Sequence, residues 1–84
     1  MLRIVFTRRA LKDLRSLPRD DRDRAVERIG AFAAEPAAPH HDVIHLVGHS
    51  KGYRLRVGDW RVVFNVDNEV MDVLRIGHRR EVYR

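Results

Sequence analysis

Hydrophobic and polar residues alternate along two neighbouring stretches in the second half of the chain, residues 52–57 and 60–64. A Gly58-Asp59 pair separates the two stretches, and period-two alternation on both sides of such a pair predicts a β-hairpin. A two-residue loop fixes the register, so one face of the hairpin collects residues suited to a core: Tyr53, Leu55, Val57, Trp60, Val62 and Phe64. The other face places Arg56 directly opposite Arg61, with Arg54 two residues further along.

The first half of the chain predicts one strand followed by two helices. Residues 2–6 alternate as a strand does, and Thr7 is a favourable N-cap for the helix that follows. Apolar residues with helical spacing define the inner face of this first helix: Ala10, Leu11, Leu14 and Leu17. Pro18 suits the first position of a second helix. The predicted apolar stripe of that helix consists of Val26, Ile29 and Ala33, flanked by Ala25 and Phe32.

The second helix is expected to end before Pro36, because a residue that precedes proline avoids the helical region. Residues 36–50 then form a long connection that leads into the hairpin. A third strand, about Val70 to Ile76, follows through Asp67-Asn68, and its register is ambiguous. One loop length directs Met71, Val73 and Arg75 toward the core, and the other directs Val70, Asp72, Leu74 and Ile76.

These elements predict an α+β fold in two layers within a single domain, residues 1–84. An N-terminal strand and an antiparallel helix pair would pack on a mostly antiparallel four-stranded sheet. The helices cover one sheet face, which leaves the face with Arg54, Arg56 and Arg61 open.

Composition narrows the class of protein. Seventeen basic and twelve acidic residues give a net charge of +5, and the pI of about 10.7 is typical of nucleic-acid-binding domains. The sequence contains no cysteine, which fits a reducing compartment. The apolar N-terminal run is interrupted by Arg3 and is too short for a signal peptide or a membrane span. We therefore expect a soluble, cytoplasmic protein that does not associate with membranes.

The arginine face has two interpretations. Like charges directly opposite each other on paired strands are destabilising, so a bound phosphate would explain the arrangement, since guanidinium groups bind phosphate oxygens in pairs. Alternatively, the face is solvated and its charges pair with acids such as Asp72 or Glu69.

Two further groups carry candidate chemistry. The tail from Gly77 to Tyr83 combines His78, a residue type that can give or take a proton in a reaction, with arginines, a carboxylate and a phenol. His41, His45 and His49, with His40 adjacent, have a spacing that would suit zinc on a helix. Prolines, β-branched residues and Gly48 make this segment a loop instead, and we predict no metal site.

Residues 52–64 and 74–83, with Leu46-x-Gly48 before them, resemble the RelE/ParE superfamily of bacterial toxins, and more narrowly its RelE-like branch. The resemblance covers nearly the whole chain. It implies the toxin of a type II toxin-antitoxin system: a ribosome-dependent endoribonuclease that cuts mRNA in the decoding site and so inhibits translation. It also implies a cognate, RelB-like antitoxin that binds the toxin in a hetero-oligomer.

The resemblance assigns roles by position. Arg61 and Arg79 would stabilise the scissile phosphate during attack by the ribose 2′-hydroxyl, a mechanism that requires no metal or other cofactor. Residues expected to contact phosphate or RNA backbone are Arg54, Arg56, Lys51 and Arg80. Relatives often carry lysine at positions 54 and 56, and arginine cannot serve as a general base. Proton transfer therefore remains open among His78, Tyr83 and Glu81.

Two alternatives come from other functional classes. A non-catalytic toxin similar to the ParE branch would inhibit DNA gyrase and use the same arginines for binding. A degenerate copy would bind only an antitoxin.

Overall fold

A computed structural model describes residues 1–46, 48 and 52–82. The helices are α1 (Arg8–Ser16) and α2 (Arg19–Ala34). The strands are β1 (Arg3–Phe6), β2 (Val43–His45), β3 (Gly52–Val57), β4 (Trp60–Asp67) and β5 (Val70–His78). They form one sheet in the order β1-β5-β4-β3-β2, in which β1 runs parallel to β5 and the other neighbours are antiparallel. The α+β prediction is confirmed, with the helices packed against the sheet.

The described part of the chain has five strands rather than the predicted four. The additional strand, β2, comes from the connection predicted as a loop, and it pairs Val43 with Leu55 and His45 with Tyr53. Three residues are too few to show a period in the sequence. The strand forms because the edge of β3 has backbone hydrogen-bonding groups that need partners. One further backbone bond extends the pairing at each end: the Arg56 amide donates to the Asp42 carbonyl, and the Leu46 amide donates to the Gly52 carbonyl.

The predicted register of the β3–β4 hairpin is confirmed. Val57 lies opposite Trp60, Arg56 opposite Arg61, Leu55 opposite Val62 and Tyr53 opposite Phe64. Gly58 has a positive φ of 59° and Asp59 does not, which matches a type II′ turn with glycine at its first central position. The alternation therefore buries one set of side chains and leaves the arginine set on the opposite face.

A β-bulge decides the register of β5. Phe64 lies opposite Val73 and Val63 lies opposite Arg75, so Leu74 is an extra residue between the two pairs. Met71 and Val73 are buried before the bulge and Ile76 is buried after it. Each of the two predicted registers is thus correct for part of the strand. The turn before β5 is centred on Asn68 and Glu69, both with positive φ, one residue later than predicted.

The helices bury slightly different faces from those predicted. In α1, Ala10 and Leu14 are buried as expected, but Leu11 is 37% exposed. In α2, Val26 is 50% exposed, and the buried positions are Ala25, Ile29, Phe32 and Ala33. The apolar stripe of α2 is rotated from the predicted one because Phe32 packs its ring against Phe64, with the centroids 5.0 Å apart.

Pro18 is the N-cap of α2, one position before its predicted place. No helix among the described residues has the length and apolar character to cross a membrane.

Helix α1 is attached to β5 by side chain to backbone hydrogen bonds. The Thr7 hydroxyl accepts a bond from the Ala10 amide at 3.0 Å and donates to the Leu74 carbonyl at 2.8 Å. The Asp13 carboxylate accepts from the Ile76 amide at 2.9 Å. β1 pairs with β5 only as far as Val73. Beyond that point, the side chains of Thr7 and Asp13 supply hydrogen-bond partners for the backbone of β5. They also hold the bulge that positions the end of β5.

Replacing Thr7 with valine should lower the free energy of unfolding by about 1–2 kcal/mol, because it removes both the N-cap and the bond to Leu74. Thr7→Ser keeps the hydroxyl and should stay within about 0.5 kcal/mol of the wild type. Chemical denaturation of the three proteins measures the difference. Equal stability of the valine and serine variants would show that the hydroxyl does not contribute.

Candidate nucleic-acid interface

Three arginines predicted to act together line one cleft of about 460 Å³: Arg56, Arg61 and Arg79. Arg56 comes from β3, Arg61 from β4, and Arg79 from the turn that follows β5. The remaining lining residues are Arg28 of α2, Asp42 before β2, and the hairpin-loop residues Gly58 and Asp59. Four guanidinium groups and two carboxylates therefore share one cleft, whose walls carry net positive charge.

Other groups of the protein offset the repulsion between Arg56 and Arg61. Directly opposite residues have Cβ atoms about 4.5–5.5 Å apart, but the two guanidinium groups have different partners. Arg56 donates to the Asp42 carboxylate at 3.2 Å. Arg61 donates to the main-chain carbonyls of Gly58 and Trp60, at 2.8 and 2.9 Å. Of the two predictions for this face, pairing with an acid is therefore found for Arg56, although the acid is Asp42 rather than Asp72 or Glu69.

Asp42 joins α2 to β3. One of its carboxylate oxygens accepts from Arg28 and the other from Arg56, and its main-chain carbonyl accepts from the Arg56 amide at 2.8 Å. Burial raises the pKa of Asp42, but hydrogen bonds and positive charge from Arg56 and Arg28 outweigh burial and hold the pKa below its usual range. The carboxylate is therefore ionised at neutral pH.

The turn after β5 folds back onto the strand. The amides of Glu81 and Val82 donate to the His78 carbonyl at 2.8 and 3.0 Å. Val82 is buried, and its Cα and Cβ lie 3.4 Å from where a Cβ on Gly77 would stand. The absence of a side chain at Gly77 lets the turn pack this closely. The tail as far as Val82 is therefore built into the fold.

The same turn positions Arg79. Its amide donates to the Asp59 carbonyl at 2.8 Å, and its Nε lies 3.9 Å from the Asp59 carboxylate. The end of β5 is thus tied to the β3–β4 loop. This contact brings Arg79 to the cleft although it lies eighteen positions beyond Arg61 in the sequence.

His78 lies outside the arginine cleft. It is opposite Trp60, whose ring it meets edge to face with the centroids 5.7 Å apart, and its Nδ1 accepts from the Arg80 amide at 3.3 Å. Successive residues of a strand point to opposite faces. Gly77, opposite Arg61, belongs to the arginine face, and His78 belongs to the other. His78 and Glu81 instead line a groove of about 210 Å³ beside α1.

The remaining predicted residues lie in several places. Arg54 occupies the neighbouring row of the arginine face, opposite Val63, which in turn lies opposite Arg75. Arg80 is exposed after the end of β5. Lys51 and Tyr83 lie outside the described residues, so their predicted roles stay predictions.

Among residues 1–46, 48 and 52–82, no three histidine, cysteine or acidic side chains are grouped as metal ligands would be. The His45 ring meets Tyr53 edge to face, and the His40 ring packs against Phe32. His49 lies outside this part of the chain.

Sequence reasoning missed Arg28, Asp42 and Asp59 as members of the cleft. Asp59 was visible as a turn residue, but its contact with Arg79 depends on the path of the tail. Arg28 and Asp42 are fourteen residues apart, and they meet because the connection after α2 returns to the edge of β3. No local pattern in the sequence marks that return.

The comparisons with known proteins agree with this architecture. Residues 4–83 match the family model of the ParE toxin of type II toxin-antitoxin systems, parDE. A toxin candidate from Methanocaldococcus jannaschii, RelE1, is 30% identical over an alignment that covers 96% of this chain and 93% of the relative. The chain belongs to the RelE/ParE superfamily of toxins.

Solved structures show the same fold. A chain of the archaeal RelE–RelB complex from Pyrococcus horikoshii OT3 superposes with a TM-score of 0.80 at 31% identity, covering 96% of this chain and 98% of that one. The isolated RelE toxin of E. coli superposes with a TM-score of 0.80 at 26% identity, covering 99% and 92%. The fold is therefore that of the RelE toxins over almost the entire chain.

The lowered pKa of Asp42 predicts a specific pH dependence of stability. The ionised carboxylate stabilises the fold above its unfolded pKa, and this contribution is lost as the pH falls through the lower folded pKa. At pH 7, Asp42→Asn should lower the free energy of unfolding by at most about 1 kcal/mol, because the ion pairs that it removes are partly exposed. The difference in unfolding free energy between wild type and Asp42→Asn should shrink between about pH 5 and pH 3. Urea denaturation at several pH values tests this, and a constant difference would contradict it.

Proposed function

We propose that the protein is a ribosome-dependent endoribonuclease that cleaves mRNA and inhibits translation. The observation that carries the proposal is the convergence of Arg56, Arg61 and Arg79, from three separate parts of the chain, on one cleft. Guanidinium groups stay charged at any physiological pH and match the geometry of phosphate oxygens. The similarity to RelE toxins over nearly the full length supports the same assignment.

The proposed chemistry is transesterification. The ribose 2′-oxygen attacks the adjacent phosphorus in line and forms a new P–O bond, while the bond from phosphorus to the 5′-oxygen breaks. The products are a 2′,3′-cyclic phosphate and a free 5′-hydroxyl. Negative charge accumulates on the phosphorane oxygens, and Arg61 and Arg79 would stabilise that charge from fixed positions. Preorganised charge of this kind is often the largest single contribution to catalysis.

The reaction also moves two protons, one from the 2′-hydroxyl and one to the leaving 5′-oxygen. The predicted donors and acceptors are His78, Tyr83 and Glu81. In the free protein His78 and Glu81 border the groove beside α1, apart from the arginines. Catalytic hydrogen bonds often form only in the substrate complex, and the decoding site would supply the RNA conformation that brings these groups together.

The partner that we propose in the cell is a RelB-like antitoxin in a hetero-oligomeric complex. Similar toxins have been solved as complexes with RelB, among them those from Methanococcus jannaschii and E. coli. An antitoxin commonly inhibits by laying a helix or strand along a groove or sheet edge of its toxin. Edge strands β1 and β2 both carry exposed apolar side chains suited to such contacts, Ile4 and Val5 on β1 and Ile44 on β2.

A second candidate function is inhibition of DNA gyrase without catalysis. The match to the ParE family model favours it, and so does the position of His78 away from the cleft. In that case the arginines would bind an acidic surface or DNA. A degenerate toxin that only binds an antitoxin would show neither activity.

Incubation of the purified protein with mRNA, with and without ribosomes, tests the proposal. Cleavage should occur only with ribosomes, and Arg61→Ala or Arg79→Ala should each slow it about 10²–10³-fold, the usual effect of removing one charge-stabilising donor. Arg19→Ala makes the same change of charge on an exposed position of α2 outside the cleft and should cleave normally. Intact mRNA together with inhibited gyrase supercoiling would establish the second candidate instead.

A further inference from the structure

Asp42 lines the arginine cleft and pairs with two of its four arginines. Its two oxygens contact guanidinium groups from two different elements, Arg28 of α2 and Arg56 of β3. A phosphate has the same charge sign and accepts hydrogen bonds from the same guanidinium donors. An anion that binds Arg28 or Arg56 must therefore share these donors with Asp42 or displace it.

The surrounding backbone holds Asp42 in place. Its carbonyl accepts from the Arg56 amide at 2.8 Å, which continues the β2–β3 ladder by one hydrogen bond. The segment cannot withdraw from the cleft without breaking this bond. Rotation of the side chain leaves this backbone bond intact and breaks both ion pairs, which releases Arg28 and Arg56. The backbone bond thus keeps the Asp42 carboxylate beside Arg28 and Arg56.

We propose that Asp42 sets the affinity of the cleft for an RNA phosphate by competing with it for Arg28 and Arg56. This inference rests on the proposed function, because it takes RNA as the ligand. It also adds Arg28 to the RNA-contacting residues, so that the contact surface extends from the sheet onto α2. When RNA binds, the two arginines exchange an internal carboxylate for an external phosphate.

Replacing Asp42 with asparagine removes one negative charge and keeps an oxygen that accepts a hydrogen bond. Affinity for RNA should rise about three- to tenfold at fixed ionic strength, which is the effect of one partly screened unit charge within the site. Asp59 should matter less, because its carboxylate is 69% exposed, compared with 30% for Asp42, and lies 3.9 Å from its arginine. Asp59→Asn is expected to raise the affinity less than twofold.

The experiment uses a fluorescently labelled 2′-O-methyl oligoribonucleotide, which cannot be cleaved because it lacks the attacking hydroxyl. Fluorescence anisotropy measures its dissociation constant with wild type, Asp42→Asn and Arg28→Ala/Asp42→Asn. Asp23→Asn is the matched control, since it makes the same charge change on an exposed position of α2 outside the cleft. We expect a gain for Asp42→Asn alone, and loss of most of that gain in the double variant.

Equal affinities for Asp42→Asn and Asp23→Asn, or no saturable binding by any variant, would overturn the inference. A second measurement needs no variant: the ¹³C shift of the wild-type Asp42 carboxyl should change saturably as the oligonucleotide is added, and an unchanged shift would also overturn it. The ribosome assay with unmodified mRNA is independent. A gain in affinity without any cleavage would contradict the proposed nuclease activity and leave the role of Asp42 intact.

Discussion

The register of the β3–β4 hairpin determines both the core and the candidate site. With Gly58 and Asp59 as the loop, one face packs into the core and the opposite face presents arginines. A slip of one residue would exchange the two faces, burying the arginines and exposing Val62 and Phe64. The type II′ turn and the apolar packing against α2 both oppose that slip. The basic cleft is thus specified by the same interactions that stabilise the domain.

Like charges on adjacent strands repel each other, and neighbouring acidic and main-chain groups offset that repulsion. Asp42 pairs with Arg56 and Arg28, main-chain carbonyls of the hairpin accept from Arg61, and Asp59 lies near Arg79. These partners keep the guanidinium groups oriented toward the cleft without a bound anion. The cleft remains net positive, so it still attracts phosphate. Under the proposed function, the same partners would limit how strongly the cleft binds phosphate, which would connect the stability of the fold to its affinity.

Sequence reasoning succeeded where structure is local. Alternation around Gly58-Asp59 predicted the hairpin pairs, and Thr7 predicted the start of α1. It failed where distant segments decide the outcome. The bulge at Leu74 involves a hydrogen bond from Thr7, the N-cap of α1, and the exposure of Val26 depends on how Phe32 meets the sheet. The recruitment of Asp42 and Arg28 depends on a strand of only three residues.

The central claim is that Arg56, Arg61 and Arg79 form one binding site for the scissile phosphate of an mRNA. A cryo-EM structure of the protein on a ribosome with a 2′-O-methyl mRNA would test it directly. We expect the phosphate that follows the modified ribose to lie within about 3.2 Å of guanidinium nitrogens of Arg61 and Arg79. A scissile phosphate bound elsewhere on the protein, with the arginine cleft facing away from the RNA, would contradict the account.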